Sequence, residues 1–207
     1  MKELVIATKN PDKKREIARL LRGLGITVVA LDKFPHCPDV REGNRSFREN
    51  AIRKAMAISE FTKTPALADD SGLETDALKG RPGIRSSRFA GNGATYDDNN
   101  RELLRKLKGR RAKERDAQFR CVVALCDYPK LIGVVEGKIR GRIADTPKGR
   151  YGFGYDPVFI VPGYGKTFAQ LSPKIKNNIS HRARALKKAR RLITIYFKHS
   201  LRMGKAQ

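Results

Sequence analysis

The sequence predicts an α/β fold, and three observations carry that prediction. Residues 4–31 read as strand, helix and strand; short apolar runs recur along the rest of the chain; and two stretches, near residues 46–58 and 181–197, are amphipathic with helical period. The first strand is Leu4-Val5-Ile6-Ala7, an apolar run of buried-strand length that ends at Thr8-Lys9-Asn10-Pro11. Asn10 is placed to cap a helix that has Pro11 at its first position. Ile17, Leu20, Leu21 and Leu24 follow at helical spacing, Gly23 or Gly25 ends the helix, and residues 26–31 form the second strand.

Residues 32–45 are polar and contain proline, so they read as a loop. Ser46-Phe47-Arg48-Glu49 is a capping box opening a helix with Ala51, Ala55 and Ile58 along one face. Pro65-Ala66-Leu67-Ala68 is a third short strand, ended by Asp69-Asp70-Ser71-Gly72, a run with turn chemistry. Residues 79–94 form a Gly- and Arg-rich loop, 97–108 a helix, and 108–115 a cationic loop. Residues 117–125 and 131–136 read as paired strands, continuing through 142–144, with a further strand at 158–161 after a Gly-rich turn. The last helix, 181–197, sets Leu186, Ala189, Ile193 and Tyr196 on one side and mostly Lys and Arg on the other. With no repeat and no linker, one domain is expected over residues 1–198, followed by a basic tail at 199–207.

A chain of 207 residues is long enough to bury a sizeable core, as one α/β domain or as two lobes around one cleft. No apolar run approaches the ~20 residues that span a bilayer. The start, MKELVIAT, also lacks the longer apolar stretch of a signal peptide, so a cytoplasmic location and no membrane partner are expected. Cys37, Cys121 and Cys126 are odd in number and lack metal-ligand spacing, which suits buried free thiols in a reducing compartment. The net charge of +24 attracts polyanions or a phosphorylated substrate without choosing among them. Such a charge leaves room for non-specific nucleic-acid binding as a secondary, salt-sensitive property of the basic surface. It is not expected as the primary role, because the few aromatic residues are not interleaved with the basic runs and no helix-turn-helix or zinc-finger spacing occurs.

Four segments could carry chemistry. Residues 8–13, Thr8-Lys9-Asn10-Pro11-Asp12-Lys13, lie at a strand-to-helix junction, where free N–H groups and the helix dipole favour an anion. The adjacent carboxylates of Asp69-Asp70, followed by Ser71, can hold Mg²⁺ or take a proton from water. In Gly152-Phe153-Gly154-Tyr155-Asp156-Pro157 the glycines let backbone approach a ligand while Phe153 offers a stacking face. Lys176-Asn177-Asn178-Ile179-Ser180-His181-Arg182 places a donor cluster at a helix start that Ser180 could cap. Each of these also has a bland reading: an N-cap, an Asx-turn, a tight turn around a core aromatic, a structural histidine.

Together and in this order, the segments resemble one family, the inosine/xanthosine triphosphate pyrophosphatases, which act on noncanonical purine nucleoside triphosphates. The matching residues are Ala7-Thr8-Lys9-Asn10 with Lys13 and Glu16, Phe47-Arg48-Glu49-Asn50-Ala51, Ala68-Asp69-Asp70-Ser71-Gly72, Arg81-Pro82-Gly83-Ile84 with Ser87-Arg88-Phe89, Phe153-Gly154-Tyr155-Asp156-Pro157, and Ile179-Ser180-His181-Arg182. The likeness runs from about residue 3 to 197. It implies an elongated mixed β-sheet flanked by helices, two lobes around a central substrate cleft, and a homodimer. It also implies Mg²⁺-dependent hydrolysis of ITP, dITP and XTP to monophosphate and pyrophosphate, cleansing the nucleotide pool.

By that resemblance Thr8, Lys9, Asn10 and Lys13 would hold the triphosphate, and Asp70 would be the catalytic carboxylate at Mg²⁺, with Ser71 against the substrate. Phe153, Gly154, Tyr155, Asp156, Lys176, His181 and Arg182 would surround sugar and base. The second metal ligand is expected at Glu42, with Asp39 as the alternative. Here the chain reads Glu42-Gly43-Asn44 where the family usually has Glu-Thr-Gly, and Arg85 stands where tyrosine is common.

Overall fold

The computed structural model describes residues 2–203, with side chains to Lys198. Among the described residues, six strands form one mixed sheet in the order β2-β1-β3-β4-β5-β6, and five α-helices accompany them. The expected α/β class with a mixed sheet is what the chain adopts. It divides into two compact units, the second being Ser71–Cys121 with Gly137–Ala183.

In the first unit, β1 (Glu3–Ile6) pairs in parallel with β2 (Thr27–Ala30) and with the start of β3 (Ala66–Thr75), through Val5 opposite Ala66. Leu4, Val5 and Ile6 are buried, as a parallel strand covered on both faces requires. Helix α1 (Pro11–Leu21) begins as expected: the Asn10 side chain accepts from the N–H groups of Asp12 and Lys13, with Pro11 at the first position. Helix α2 (Phe47–Thr62) starts at Ser46, whose hydroxyl accepts from Glu49 N–H. Its buried stripe is Phe47, Asn50, Ala51, Ala55, Ile58 and Ser59. The last helix, α5 (His181–Met203), buries Leu186, Ala189, Ile193 and Phe197. From its basic side, Arg190 donates to the carbonyls of Leu20 and Arg22, which closes the end of α1. Residues 204–207 of the expected tail lie outside the described residues.

The second unit holds α3 (Tyr96–Lys106), capped reciprocally by Thr95 and Asp98, and the short α4 (Pro173–Ile179). It also holds parts of β4 (Asp116–Asp127) and β5 (Lys130–Ile143), and β6 (Phe159–Ile160) runs antiparallel to β5. Its core gathers Leu73, Leu103, Leu107, Phe119, Ile143, Phe159 and Phe168, each phenylalanine buried there contributing about 1.5–3 kcal/mol. Gly141 is required in β5, because a Cβ there would lie 2.5 Å from both the Ile160 carbonyl and the Phe159 ring.

Three expectations are corrected. Residues 69–72 do not end β3 in a turn; the strand runs on to Thr75, because the buried Asp69 and Asp70 carboxylates have charged partners that make their burial tolerable. Cys37 is half-exposed, whereas Cys121 and Cys126 are buried free thiols in β4. Residues 108–115 are not all loop: a 3₁₀ turn spans Ala112–Glu114, and Arg115 after it is buried and donates to the carbonyls of Leu107, Ile143 and Ala144.

Candidate active site

Two clusters hold the residues singled out from the sequence. In the first unit, β1 delivers the chain to residues 8–13. Thr8 Oγ1 accepts from Asn10 N–H at 3.2 Å, and Asn10 Oδ1 accepts from Asp12 and Lys13 N–H at 2.9 and 3.1 Å. This Asx-type turn aims the first turn of α1 and carries Lys13 to the Asp69 carboxylate, 3.1 Å away. Asp69 is almost fully buried and the Lys13 side chain mostly so, so the pair is poorly screened by water. Lys9 points elsewhere, pairing at 3.0 Å with the exposed Asp39.

Asp70 is held from α2. Asn50 Nδ2 donates to its carboxylate at 3.0 Å, and Lys54 Nζ lies 3.6 Å away. The same ammonium donates to Glu42 Oε1 at 2.9 Å and to the Asp69 carbonyl at 2.8 Å. Asn50 also exchanges hydrogen bonds with the backbone of Gly43, accepting at 2.8 Å and donating at 3.2 Å. One amide thus ties the Glu42-Gly43 loop to Asp70. Burial pushes the Asp70 carboxyl up; Lys54 pulls it down, Glu42 pushes it further up, Lys13 and Asn50 pull it down, and it stays above the usual carboxylate range. Burial by itself would depress the Lys54 ammonium, but Asp70, Asp69 and Glu42 more than offset that and hold it above ordinary lysine.

In the second unit, Ser71 follows directly in β3 and its hydroxyl accepts from Arg182 at 2.9 Å. Ser180 caps the start of α5 by accepting from Ala183 N–H at 3.1 Å. His181 stacks on Phe119, centroids 4.5 Å apart, and both His181 and Arg182 are buried. The Arg182 guanidinium lies 5.4 Å and the Lys176 ammonium 4.6 Å from the centre of the Phe153 ring. Lys176 pairs with the buried Asp156, which also accepts from Phe153 N–H at 2.8 Å. Gly152 is obligatory there: its φ is +77° and a Cβ would lie 2.0 Å from the Asp156 carboxylate. Asn100 of α3 donates to the Gly154 carbonyl at 3.0 Å, and Tyr96 contacts the Phe153 ring at 5.9 Å. Tyr155 belongs to the core and donates to the Ser86 carbonyl, so its side chain positions this loop.

The structure therefore gathers Lys13, Glu42 and Asp70 with Asp69, and separately Ser71, Phe153, Asp156, Lys176 and Arg182. It leaves Lys9 outside the first group. Sequence reasoning missed Asn50, Lys54, Tyr96 and Asn100. A signal for the first two existed: at positions 50 and 54 they fall on the stripe of Phe47, Ala51, Ala55 and Ile58, where a polar side chain needs a partner.

Chemically, the first cluster offers phosphate-binding cations and hard oxygen donors. Among the described residues no group of three or more His, Cys, Asp or Glu forms a metal cage. Glu42 and Asp70 nevertheless already share one cation, the Lys54 ammonium, and two carboxylates suit a hard divalent ion that keeps most of its waters. Asp39, bound to Lys9 on the exterior, does not share that cation. The second cluster offers an aromatic face with fixed cationic donors, suited to a flat polar ring.

Residues 4–192 match the model of the Ham1 family. The chain is similar to the dITP/XTP pyrophosphatase of Desulforamulus reducens, 48% identical over 95% of this chain and 98% of that one. Its likeness to the dITP/XTP pyrophosphatase of Geobacillus kaustophilus is 50% identity over 91% and 92%. Among solved structures it is similar to a HAM1 protein from Coxiella burnetii, with a TM-score of 0.85 and 42% identity over 94% of this chain and 99% of that one.

Proposed function

The chain belongs to the Ham1 family, and on that premise we propose that it hydrolyses the noncanonical purine nucleoside triphosphates dITP, ITP and XTP to monophosphate and pyrophosphate. The observation that carries the reading is Asp70, a buried carboxylate held above its usual range beside Glu42, Lys54 and Lys13. In the reaction a water attacks the α-phosphorus, the bond to the bridging oxygen of the β-phosphate breaks, and pyrophosphate leaves. Asp70 takes the water's proton, as its raised carboxyl suits it to do. Thr8, Asn10 and Lys13, with the amino-terminal end of α1, are assigned to the phosphates, where negative charge grows on the leaving group. Lys54 orients the Asp70 and Glu42 carboxylates.

Mg²⁺ is assigned to Asp70 and Glu42; when bound it supplies neutralisation of phosphate charge and a more acidic water. Sugar and base are assigned to Ser71, Phe153, Lys176, His181 and Arg182. Hypoxanthine and xanthine present a carbonyl acceptor at C6, where adenine presents an amino donor. Donors from Arg182 or His181 pair with the carbonyl and are left facing a donor by adenine, a mismatch that rejects ATP strongly. Among the described residues no helix is long and apolar enough to cross a membrane. A homodimer in the cytoplasm, with residues 1–198 acting as one catalytic domain, completes the proposal.

The test is release of pyrophosphate from dITP, XTP, GTP and ATP, each with Mg²⁺ and with EDTA. Rapid Mg²⁺-dependent release from dITP and XTP and little from ATP is expected. Orthophosphate as the first product, or equal rates on all four, overturns the reading.

A further inference from the structure

Beyond that activity, two adjoining cavities of the second unit have a lining that the catalytic assignment does not use. One, of about 260 Å³, is lined by Arg142, Lys148, Thr146, Asp145 and Gln170 among others. Its neighbour, of about 390 Å³, is lined by Gly149, Arg150, Tyr151, Lys166, Ala169 and Gln170. Gln170 borders both, so the two cavities adjoin, side by side in one basic depression. Neither includes any residue assigned above to the triphosphate, sugar or base.

Besides the buried Arg115, four cations line this depression: Arg142, Lys148, Arg150 and Lys166. Among the described residues none of the four makes an ion pair, and the one carboxylate in the lining, Asp145, is partnered by Arg115 at 3.3 Å. An aromatic ring stands within the cationic lining. Tyr151 is 40% exposed, and the Arg150 guanidinium lies 5.6 Å from its centre. Tyr164, 45% exposed, immediately precedes Gly165 and Lys166 of the same lining. Ring and cation adjoin here in the sequence as well as in the fold: Tyr151 directly follows Arg150, and Tyr164 stands two positions before Lys166. Basic side chains tracking a phosphate backbone, with an exposed ring for a base to stack on, are the two parts of a single-strand binding platform. A duplex keeps its base faces stacked inside and has none to offer Tyr151.

We propose that this depression binds single-stranded nucleic acid, Arg142, Lys148, Arg150 and Lys166 contacting successive phosphates and Tyr151 stacking on a base. Binding by fluorescence anisotropy, with labelled oligo(dT) and oligo(U), tests it on the full chain. The wild type binds both, with a slope of log K against log salt near −3, about 0.7 for each of four phosphate contacts. Tyr151→Ala weakens binding about tenfold or more, while Tyr151→Phe, which keeps the ring, binds as wild type. The triple variant Arg142→Gln, Lys148→Gln, Lys166→Gln loses about 2 units of that slope. A charge-matched control, Lys33→Gln, Lys130→Gln, Lys187→Gln, removes exposed cations of the first unit and retains it. Hydrolysis of dITP, unchanged in every variant, reports that each is folded. Photocrosslinking of 4-thiouridine oligonucleotide to the wild type, read by mass spectrometry, is expected on the peptide containing Tyr151 and needs no variant. The proposal is overturned if the wild type does not bind, if the control weakens binding as much as the triple, if Tyr151→Ala binds as wild type, or if polyglutamate competes as well as oligo(U).

Discussion

Asp70 and Cys126 show how burial, as the largest cause, redirects the chemistry of a side chain, and each makes a residue-level prediction. Asp70 binds its proton more tightly in the folded chain than an exposed carboxyl does, with burial the largest cause. Between the unfolded value, about 4, and the raised folded one, the native state holds more protons. Its stabilising contribution is thus complete at low pH and lost as pH rises through the folded value. At neutral pH the ionised group opposes folding. Asp70→Asn is therefore expected to unfold at a higher temperature than wild type at pH 7 in EDTA, the gap closing below about pH 4, while turnover falls more than a hundredfold, about 3 kcal/mol. Calorimetry and pyrophosphate release check both; lower stability at pH 7 or activity within a hundredfold would contradict the assignment. The Cys126 thiol is pushed up to about 11 by burial and Cys121 is fully buried, whereas Cys37 is half-exposed. Iodoacetamide at pH 8 is expected to label Cys37 alone in the native chain, and all three thiols only after denaturation, as mass spectrometry would show. Asn10 and Ser180 were legible as caps because their side chains suit few other tasks at a helix start. Asn50 and Lys54 were not legible, because they sit in a helix whose periodicity speaks for its apolar neighbours.

At the scale of elements, periodicity located the helices well and misjudged one strand. β3 was cut short because Asp-Asp-Ser-Gly has turn composition, and only the cations and amide from α1 and α2 make a strand through it affordable. The seven-residue α4 went unread although Ser172 and Pro173 mark its start, because Ile175 and Ile179, a single apolar pair among Lys174, Lys176, Asn177 and Asn178, are too few to show a helical period. The turn that carries Phe153 makes the sharpest prediction here. Gly152→Ala puts a methyl group into the Asp156 carboxylate from a left-handed backbone position, displacing the group that holds both Lys176 and Phe153 N–H. A loss of kcat/KM for dITP of about tenfold or more is expected, from one misplaced donor at roughly 1–3 kcal/mol. Asn10→Ala acts on a different element. It removes the cap of α1 and is expected to lower stability by about 1 kcal/mol in urea unfolding, with a parallel rise in KM. A Gly152→Ala enzyme with wild-type kinetics would show that Asp156 does not position the loop.

At the scale of the molecule, the α/β class and mixed sheet were legible, and the places where the chain passes between its two units were not. No linker separates the units: the first boundary falls at Asp70–Ser71 inside β3, others fall inside β4 and β5, and the last lies in α5 between Ala183 and Arg184. Composition and chain breaks mark domains only where the chain leaves one and enters another through a loop. The charge excess belongs to this scale as well. With 45 basic and 21 acidic side chains, 45 − 21 = 24 cations lack an acidic counterpart even if every carboxylate were paired. Many of the pairs that do form are on exposed surfaces, such as Arg105 with Glu102 and Arg101 with Asp98, and such pairs contribute about 0–1 kcal/mol each. Salt screens both the exposed pairs and the surplus repulsion, and the repulsion is the longer-ranged of the two, since the Debye length falls from ~30 Å at 0.01 M salt to ~8 Å at 0.15 M. The unliganded chain is therefore expected to melt at higher temperature as NaCl rises from 10 to 150 mM, with sulfate more effective than chloride. A melting temperature that falls over that range would mean that the exposed ion pairs outweigh the surplus charge, and that the basic surface costs the fold nothing to keep.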